Sequence, residues 1–337
     1  MKISRIFLAF ALVVFGVVST VGSGGSGGGG SGGVSLTDPP VLDTPLFSWV
    51  NITATNAQDV SATVVHAADR VFDLATTMGG QIFPSPPTSP NLLSSHSKFE
   101  LFETVVATGE PITDACDVSG TVTVSGAPAN NPVTIAVGDV FDLVFDACND
   151  GNGYSIDGRF SLKVMELMGD PRTDVFRLRY VLLDMSLTVA SSADSYTASD
   201  TEFQLIWDSL AFPVIVLRSV SLTALQLSDE ADVYSWPFGV SQSLTLNADT
   251  LPITTLKEAS NSRMKSDLLG DYLYYETIMP LQGVDNQNPG SGEILISGNG
   301  TVRIVIESSR SVRLEIDTDS DGVVDDYQYT TWAALQG

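Results

Sequence analysis

The sequence is poor in basic residues. Sixteen Lys and Arg stand against 40 Asp and Glu, which gives a formal net charge of −24. A nucleic-acid-binding protein needs a basic surface to neutralise phosphates, and an anionic membrane surface attracts polybasic segments. The composition therefore predicts no nucleic-acid partner and no attraction to anionic lipid. It suits a protein that attracts cations or that stays soluble in salty surroundings.

Histidine is scarce, and so are catalytic motifs. The chain has two histidines, and we predict that both are solvated: His66 on the polar side of a helix and His96 in a Ser-rich loop. The pattern Gly-x-Ser-x-Gly occurs only within a Gly/Ser tract, and no phosphate loop, dinucleotide fingerprint or zinc spacing is present. These observations assign no catalytic residue and favour a non-catalytic protein. A pair of carboxylates could still support glycoside hydrolysis, but the sequence does not select that pair.

Long apolar runs are absent except at the N-terminus. Lys2 and Arg5 precede an apolar run from Ile6 to Val18, which is shorter than the roughly twenty residues of a bilayer span. A tract of only Gly and Ser follows, up to Gly33. We predict a signal peptide over residues 1–22 and a flexible tether over 23–33. The protein is then exported to the periplasm, the cell surface or the medium, with no integral membrane domain beyond the signal segment. A signal that stays uncleaved is the alternative.

This N-terminal layout resembles that of bacterial envelope lipoproteins, in which the signal ends at a lipid-modified Cys and a Gly/Ser tether follows. The resemblance covers residues 1–33. The sequence departs from the pattern at the modified residue, because its first cysteine is Cys116. The resemblance therefore implies export but not a lipid anchor.

The chain has two cysteines, Cys116 and Cys148. In an oxidising compartment, two cysteines in a β-rich segment most often pair. We predict a disulfide that joins neighbouring strands. The alternative is a pair of buried free thiols, whereas a metal site is disfavoured because no His lies near them in sequence.

Residues 34–337 are predicted to form one β-rich domain with a helix at about 57–78. Asn56 can cap this helix and Gly79-Gly80 can end it. From Phe99 onward, short segments rich in β-branched and aromatic residues, Val133–Val137 among them, alternate with turn residues. The predicted fold is mainly β: a large antiparallel meander forming a sandwich or a partly open barrel, with one N-terminal amphipathic helix packed on it. The apolar residues that define the helix face are Val60, Val64, Ala67, Val71, Ala75 and Met78.

One hairpin near the C-terminus has a predictable register, because apolar residues alternate along both of its strands. For both apolar sets to face one core, Val302 must lie opposite Ile316, with the other pairs following in step. This register places Arg303 opposite Glu315 on the other face. It also leaves residues 308–310 as the loop, with Arg310 as the residue expected to be left-handed.

The sharpest motif follows this hairpin, at residues 317–326. Carboxylates at positions 1, 3, 5 and 9 with Gly at position 6 match the opening of a calcium loop. The motif resembles the EF-hand-like loops of dockerins and thrombospondin type 3 repeats. It departs from them at position 12, which is Gln328 rather than Glu, and in its strand-like flanks. The alternative is an acidic loop held by Asx turns. The predicted calcium ligands are Asp317, Asp319, Asp321, the carbonyl of Val323, and Asp325.

The sequence thus favours an exported, non-catalytic β-scaffold or binding protein of the envelope or medium, stabilised by calcium. Its partner would be a surface, a protein or a glycan. Two alternatives stay open: an extracellular carbohydrate-active hydrolase that uses paired carboxylates, and a carrier that holds an apolar ligand such as a lipid between the sheet and the helix.

Overall fold

A computed structural model describes most of the predicted β-rich domain. The predicted signal peptide (1–22), the tether (23–33) and His96 lie outside the described residues. The described ranges are 48–82, 98–127, 134–149, 154–170, 175–191, 195–211, 214–221, 223–247, 254–260, 262–284 and 287–336.

The described residues form 17 strands and three helices, and the strands belong to one sheet. The helices are α1 (Ala57–Ile82), α2 (Lys98–Thr108) and α3 (Trp332–Gln336). The strands are β1 (Ile112–Ala115), β2 (Ser119–Ala127), β3 (Val140–Asn149), β4 (Tyr154–Gly169), β5 (Phe176–Ser191), β6 (Ser195–Asp208), β7 (Val214–Ser221), β8 (Leu225–Asp229), β9 (Val233–Trp236), β10 (Ser241–Asn247), β11 (Thr254–Ser260), β12 (Ser262–Ser266), β13 (Tyr272–Val284), β14 (Ser291–Gly298), β15 (Gly300–Ile306), β16 (Val312–Asp317) and β17 (Asp326–Thr330).

The strands pair antiparallel in the order of the chain, which confirms the predicted meander. From β1 to β6, each strand pairs with the next one. The next three passes of the chain across the sheet each consist of two successive strands. These are β7 and β8, β9 and β10, and β11 and β12. One branch therefore runs β6-β7-β10-β11-β13, and the other runs β6-β8-β9-β12-β13. The branches rejoin at β13, from which β14 to β17 follow in sequence.

The sheet curves around α1, as in the partly open barrel of the two predicted forms. Helix α1 contacts β6, β7 and β10 and also β15 and β16. Along the order β6-β7-β10-β11-β13-β14-β15-β16, the outer members would lie roughly 33 Å apart in a flat sheet, at about 4.8 Å per step. A helix is only about 10–12 Å wide with its side chains. The sheet must therefore bend so that both sets of strands reach the same helix.

Helix α1 contains the predicted segment and extends beyond it. All six apolar residues of the predicted face are buried. Val65, Phe72 and Leu74 are buried as well, because the curved sheet covers the helix on more than one side. The helix continues through Gly79-Gly80 to Ile82, so the prediction that these glycines end it is wrong.

Two further helices were not predicted. Helix α2 occupies the start of the region predicted to be strands, where Phe102, Val105 and Val106 are buried at helical spacing. The Phe102 ring lies 4.8 Å from that of Phe141 in β3, so α2 covers the first strands of the sheet. The predicted strand at 133–137 is also wrong, since the described residues 134–139 form no strand and include a turn at Val137 and Gly138. None of the helices in the described ranges combines the length and apolarity of a membrane span.

The predicted disulfide is present. Cys116 and Cys148 are bonded, with their Cα atoms 5.5 Å apart. The bond does not join adjacent strands, because Cys116 follows β1 and Cys148 lies in β3, on the far side of β2. A β-bulge at Ala147, whose φ is 46°, allows this link by turning Cys148 into the core. Gly120 of β2 faces the bulge, where an added Cβ would come within 2.2 Å of the Ala147 carbonyl oxygen.

Candidate metal centre

The hairpin formed by β15 and β16 has the predicted register. Val302 pairs with Ile316, and Arg303 pairs with Glu315 on the opposite face. The apolar residues of both strands are buried, so the register is fixed by the core. The loop differs from the prediction, because Arg310 is not among the residues with positive φ. Instead, the Ser308 hydroxyl oxygen accepts hydrogen bonds from the N–H groups of Arg310 (3.3 Å) and Ser311 (3.1 Å), which closes the loop without a left-handed residue.

Strand β16 delivers Asp317 to the end of the sheet. Asp317 pairs with Thr301 of β15, and its side chain is buried, at 6% exposure. The chain then loops outward and returns as β17, and the Asp325 N–H donates to the Ile316 carbonyl at 2.8 Å. The loop of residues 318–325 is therefore anchored at both ends to a paired strand.

Aspartate side chains wind the first half of this loop. One oxygen of Asp317 accepts from the N–H of Asp319 (3.3 Å), and the other accepts from the N–H of Gly322 (2.9 Å). Asp319 accepts in the same way from the N–H of Asp321 (3.2 Å). Asp321 accepts from the N–H of Val323 (2.8 Å). Each carboxylate thus fixes the backbone N–H two residues after it, which holds this half of the loop in a tight turn.

The second half of the loop folds back through Asp325. Its Oδ2 accepts from both the hydroxyl (2.6 Å) and the N–H (2.8 Å) of Thr318. These two hydrogen bonds, the one from the hydroxyl first, hold the pKa of Asp325 below its ordinary value. The reversal passes through Ser320 (φ 60°) and Gly322 (φ 84°), both left-handed, which explains the value of Gly at position 6.

Three of the predicted ligands converge. Asp317, Asp319 and Asp325 each place one carboxylate oxygen within 4.8 Å of the others. Calcium binds oxygen ligands at about 2.3–2.6 Å, so two ligands on opposite sides of the ion lie about 5 Å apart. Carboxylate oxygens are hard donors, and they retain lone pairs beyond those used by the loop N–H groups. This donor set fits a hard divalent cation.

The other predicted residues are arranged differently. The Asp321 carboxylate lies outside the group of three and caps the N–H of Val323, whose side chain is exposed. Gln328, at position 12 of the motif, points to the inner face of the sheet, where its amide donates to the Ala54 carbonyl. The position that supplies a bidentate Glu in an EF-hand therefore makes a hydrogen bond to the segment before α1 in this chain.

A second polar cluster, which the sequence did not predict, lies between α1 and β8. The Nε2 atom of His66 is 2.8 Å from Oδ2 of Asp229, so the prediction of a solvated His66 is wrong. Nε of Arg70 donates to the same oxygen at 3.3 Å. Burial alone would raise the pKa of Asp229, but hydrogen bonds from His66 and from the N–H groups of Asp232 and Ala231 outweigh it and lower that pKa.

A second ion pair fastens the same helix to another strand. Nζ of Lys257 in β11 donates to Oδ1 of Asp69 at 2.9 Å and lies 5.0 Å from the centre of the Phe72 ring. Burial lowers the pKa of Lys257, but attraction to Asp69 and Asp73 more than offsets this, so the pKa is raised. These contacts clamp α1 inside the curved sheet. They involve residues far apart in the chain, so no local motif could reveal them.

Comparisons of the whole chain with protein families, curated proteins and solved structures found no match. The function is therefore inferred from the geometry of the sheet and of the loop of residues 317–325.

Proposed function

We propose that this protein is an exported, non-catalytic β-scaffold that binds a surface, protein or glycan partner and is stabilised by calcium. The observation that carries the proposal is the convergence of three carboxylates at the end of a paired, buried strand. Asp317, Asp319 and Asp325 would hold the ion, with Asp321 and the carbonyl of Val323 as further candidate ligands. The ion would neutralise the repulsion among closely spaced carboxylates.

Export is supported by two observations. The N-terminal segment has the composition of a signal followed by a tether, and the Cys116–Cys148 disulfide is a bond that persists in oxidising compartments. Extracellular calcium sites are commonly weak, with dissociation constants of about 10⁻⁴ to 10⁻³ M, because the ion is abundant there. A loop with three convergent carboxylates, two of them exposed, suits that range.

The scaffold role is supported by the position of α1. Its buried residues, which include Val64, Leu74 and Met78, fill the concave side of the sheet. A lipid carrier would need this volume for its ligand, so we place the partner on the outer surface instead.

Thermal unfolding of the exported chain, prepared free of metal, tests the proposal. With a dissociation constant of about 10⁻⁴ M, calcium at about a hundred times that concentration stabilises the folded state by about 2.7 kcal/mol. At about 2–4 °C per kcal/mol, the melting temperature should rise by roughly 5–10 °C. Magnesium should give a smaller rise, because it demands a tighter, near-octahedral site.

Asp317→Asn should remove most of the rise that calcium gives, because position 1 supplies a primary ligand. Asp267→Asn is the matched control: Asp267 is an exposed aspartate elsewhere in the chain, and its loss should leave the calcium response intact. An equal melting temperature with and without calcium contradicts the proposal. So does a calcium response that Asp317→Asn leaves unchanged.

A further inference from the structure

Two exposed tyrosines lie side by side at the end of the sheet. Tyr327 and Tyr329 are the two aromatic residues of β17, and they are 54% and 69% exposed. They point to the same, outer face, because they are two residues apart on one strand, with a spacing of about 6.8 Å. Their rings are therefore presented together to solvent.

Charged residues continue from the tyrosines across the outer face. Tyr327 pairs with Glu315, which pairs with Arg303 of β15. Tyr329 pairs with Arg313 of β16. We call this surface the tyrosine platform and define it by Tyr327, Tyr329, Glu315, Arg313, Arg303 and Glu293.

The charged side chains of the platform hold one another in place. Nη1 of Arg303 is 3.7 Å from both Glu293 and Glu315. Nη2 of Arg313 is 3.0 Å from Glu315. All four side chains are between 15% and 30% exposed, so their polar heads are ordered by the network but still reach solvent. Ordered donors and acceptors beside exposed rings cost little further entropy on binding a ligand.

We propose that the tyrosine platform binds a neutral polysaccharide. Tyr rings offer flat apolar faces on which the C–H face of a sugar ring can stack, and the neighbouring guanidinium and carboxylate groups can bond its hydroxyls. A polyanion is disfavoured, because the two carboxylates of the platform balance its two guanidinium groups while the whole chain carries −24. A continuous apolar partner is disfavoured, because a charged side chain lies directly beside each tyrosine.

This inference rests on the proposed function and names the class of its partner. The platform is adjacent to the loop of residues 318–325, since β17 begins at Asp326, directly after Asp325. A cation that fixes Asp325 would also fix the start of the strand that carries both tyrosines. Binding of the polysaccharide should therefore be tighter in calcium than in a chelator, and the coupling should be reciprocal.

Affinity electrophoresis of the exported chain tests the proposal. Native gels containing hydroxyethylcellulose, galactomannan or dextran are compared with gels that contain alginate, an anionic polysaccharide, each run with millimolar calcium and with a chelator. At least one neutral gel should retard the wild-type chain, and alginate should not. The variant Tyr327→Ala/Tyr329→Ala should bind at least about tenfold more weakly, as expected when central aromatic contacts are lost.

Phe238→Ala is the matched control, because Phe238 is an exposed aromatic residue outside the platform, and its loss should leave the retardation unchanged. A melting curve of each variant shows whether it is folded, which the exposure of the tyrosines leads us to expect. Migration unaffected by all three neutral polysaccharides overturns the proposal, as does equal retardation of the double tyrosine variant.

Light scattering tests whether a second copy of the chain, rather than a polysaccharide, occupies the platform. If the wild-type chain is a dimer and the tyrosine variant a monomer, the tyrosines serve a second copy of the chain and the proposal is overturned. The calcium response is measured independently by melting temperature. Retardation without a calcium response supports the platform and contradicts the calcium site, whereas the reverse result contradicts only the platform.

Discussion

Replacing the buried carboxylate of Asp229 should loosen α1 from the sheet. Oδ2 of Asp229 accepts hydrogen bonds from Nε2 of His66 (2.8 Å) and from Nε of Arg70 (3.3 Å). Oδ1 accepts from the N–H groups of Ala231 (2.9 Å) and Asp232 (3.0 Å). Asp229→Asn keeps the size of the side chain and one acceptor oxygen. It removes the charge and replaces the other acceptor oxygen with an N–H₂ group, which is a donor. The substitution therefore breaks the hydrogen bonds either from the two side chains or from the two backbone N–H groups.

The expected cost follows from the burial of the three groups. Breaking a buried ion pair by removing one partner costs about 3–5 kcal/mol. Asp229 is only 3% exposed, but the side chains of Arg70 and His66 are 12% and 28% exposed, so water takes over part of the lost interaction. We therefore expect Asp229→Asn to lower the free energy of unfolding by about 2–4 kcal/mol at neutral pH. The control is Asp267→Asn, which removes an exposed partner of Lys265 and should cost less than about 0.5 kcal/mol.

The difference between wild type and Asp229→Asn should also depend on pH. The pKa of Asp229 in the folded protein lies below its ordinary value, so its stabilising contribution is fully present above the pKa of the unfolded chain, about 3.9. That contribution is lost as the pH falls through the lower, folded pKa. Urea unfolding followed by Trp fluorescence, at neutral pH and below about pH 3, measures both effects. A loss of unfolding free energy no larger than that of Asp267→Asn, or a loss that does not shrink in acid, would refute the role of Asp229 in holding α1 to the sheet.

Two further predictions concern the disulfide and a buried tyrosine. The variant Cys116→Ala/Cys148→Ala removes a bond between residues with a sequence separation of 32, and its free energy of unfolding in urea should be about 3–4 kcal/mol lower than that of the wild type. The reduced wild-type chain should lose the same amount. A loss below about 1 kcal/mol would count against the chain-entropy explanation. Burial, with the nearby Glu276 carboxylate, raises the pKa of Tyr274 to about 12, so ultraviolet titration should show that Tyr274→Phe removes one ionisation near that value. The folded protein keeps this proton longer than the unfolded chain does, so stability should fall as the pH rises from about 10 to about 12, and a lost ionisation near 10 would contradict the assignment.

Several features of this protein are determined by sequence alone, because their causes are local. The three- and four-residue spacing of apolar residues predicts α1, since only a helix places them on one face. Alternation along β15 and β16 fixes the register of Arg303 with Glu315, because a slip of one residue would expose an apolar row. The spacing of aspartates from Asp317 onward predicts a tight loop, because each carboxylate can accept a hydrogen bond from the backbone N–H two residues later.

Other features are decided only by tertiary structure, because their causes lie far away in the chain. His66 contacts Asp229, which is 163 residues away in the sequence. The Asp229 carboxylate takes the place of the water that the position of His66 on the helix predicts. Helix α1 passes through Gly79-Gly80 to Ile82, although glycine favours a stop there. Local sequence sets which backbone conformations are low in free energy. Which of them persists is decided by the burial and the charge partners that distant strands supply.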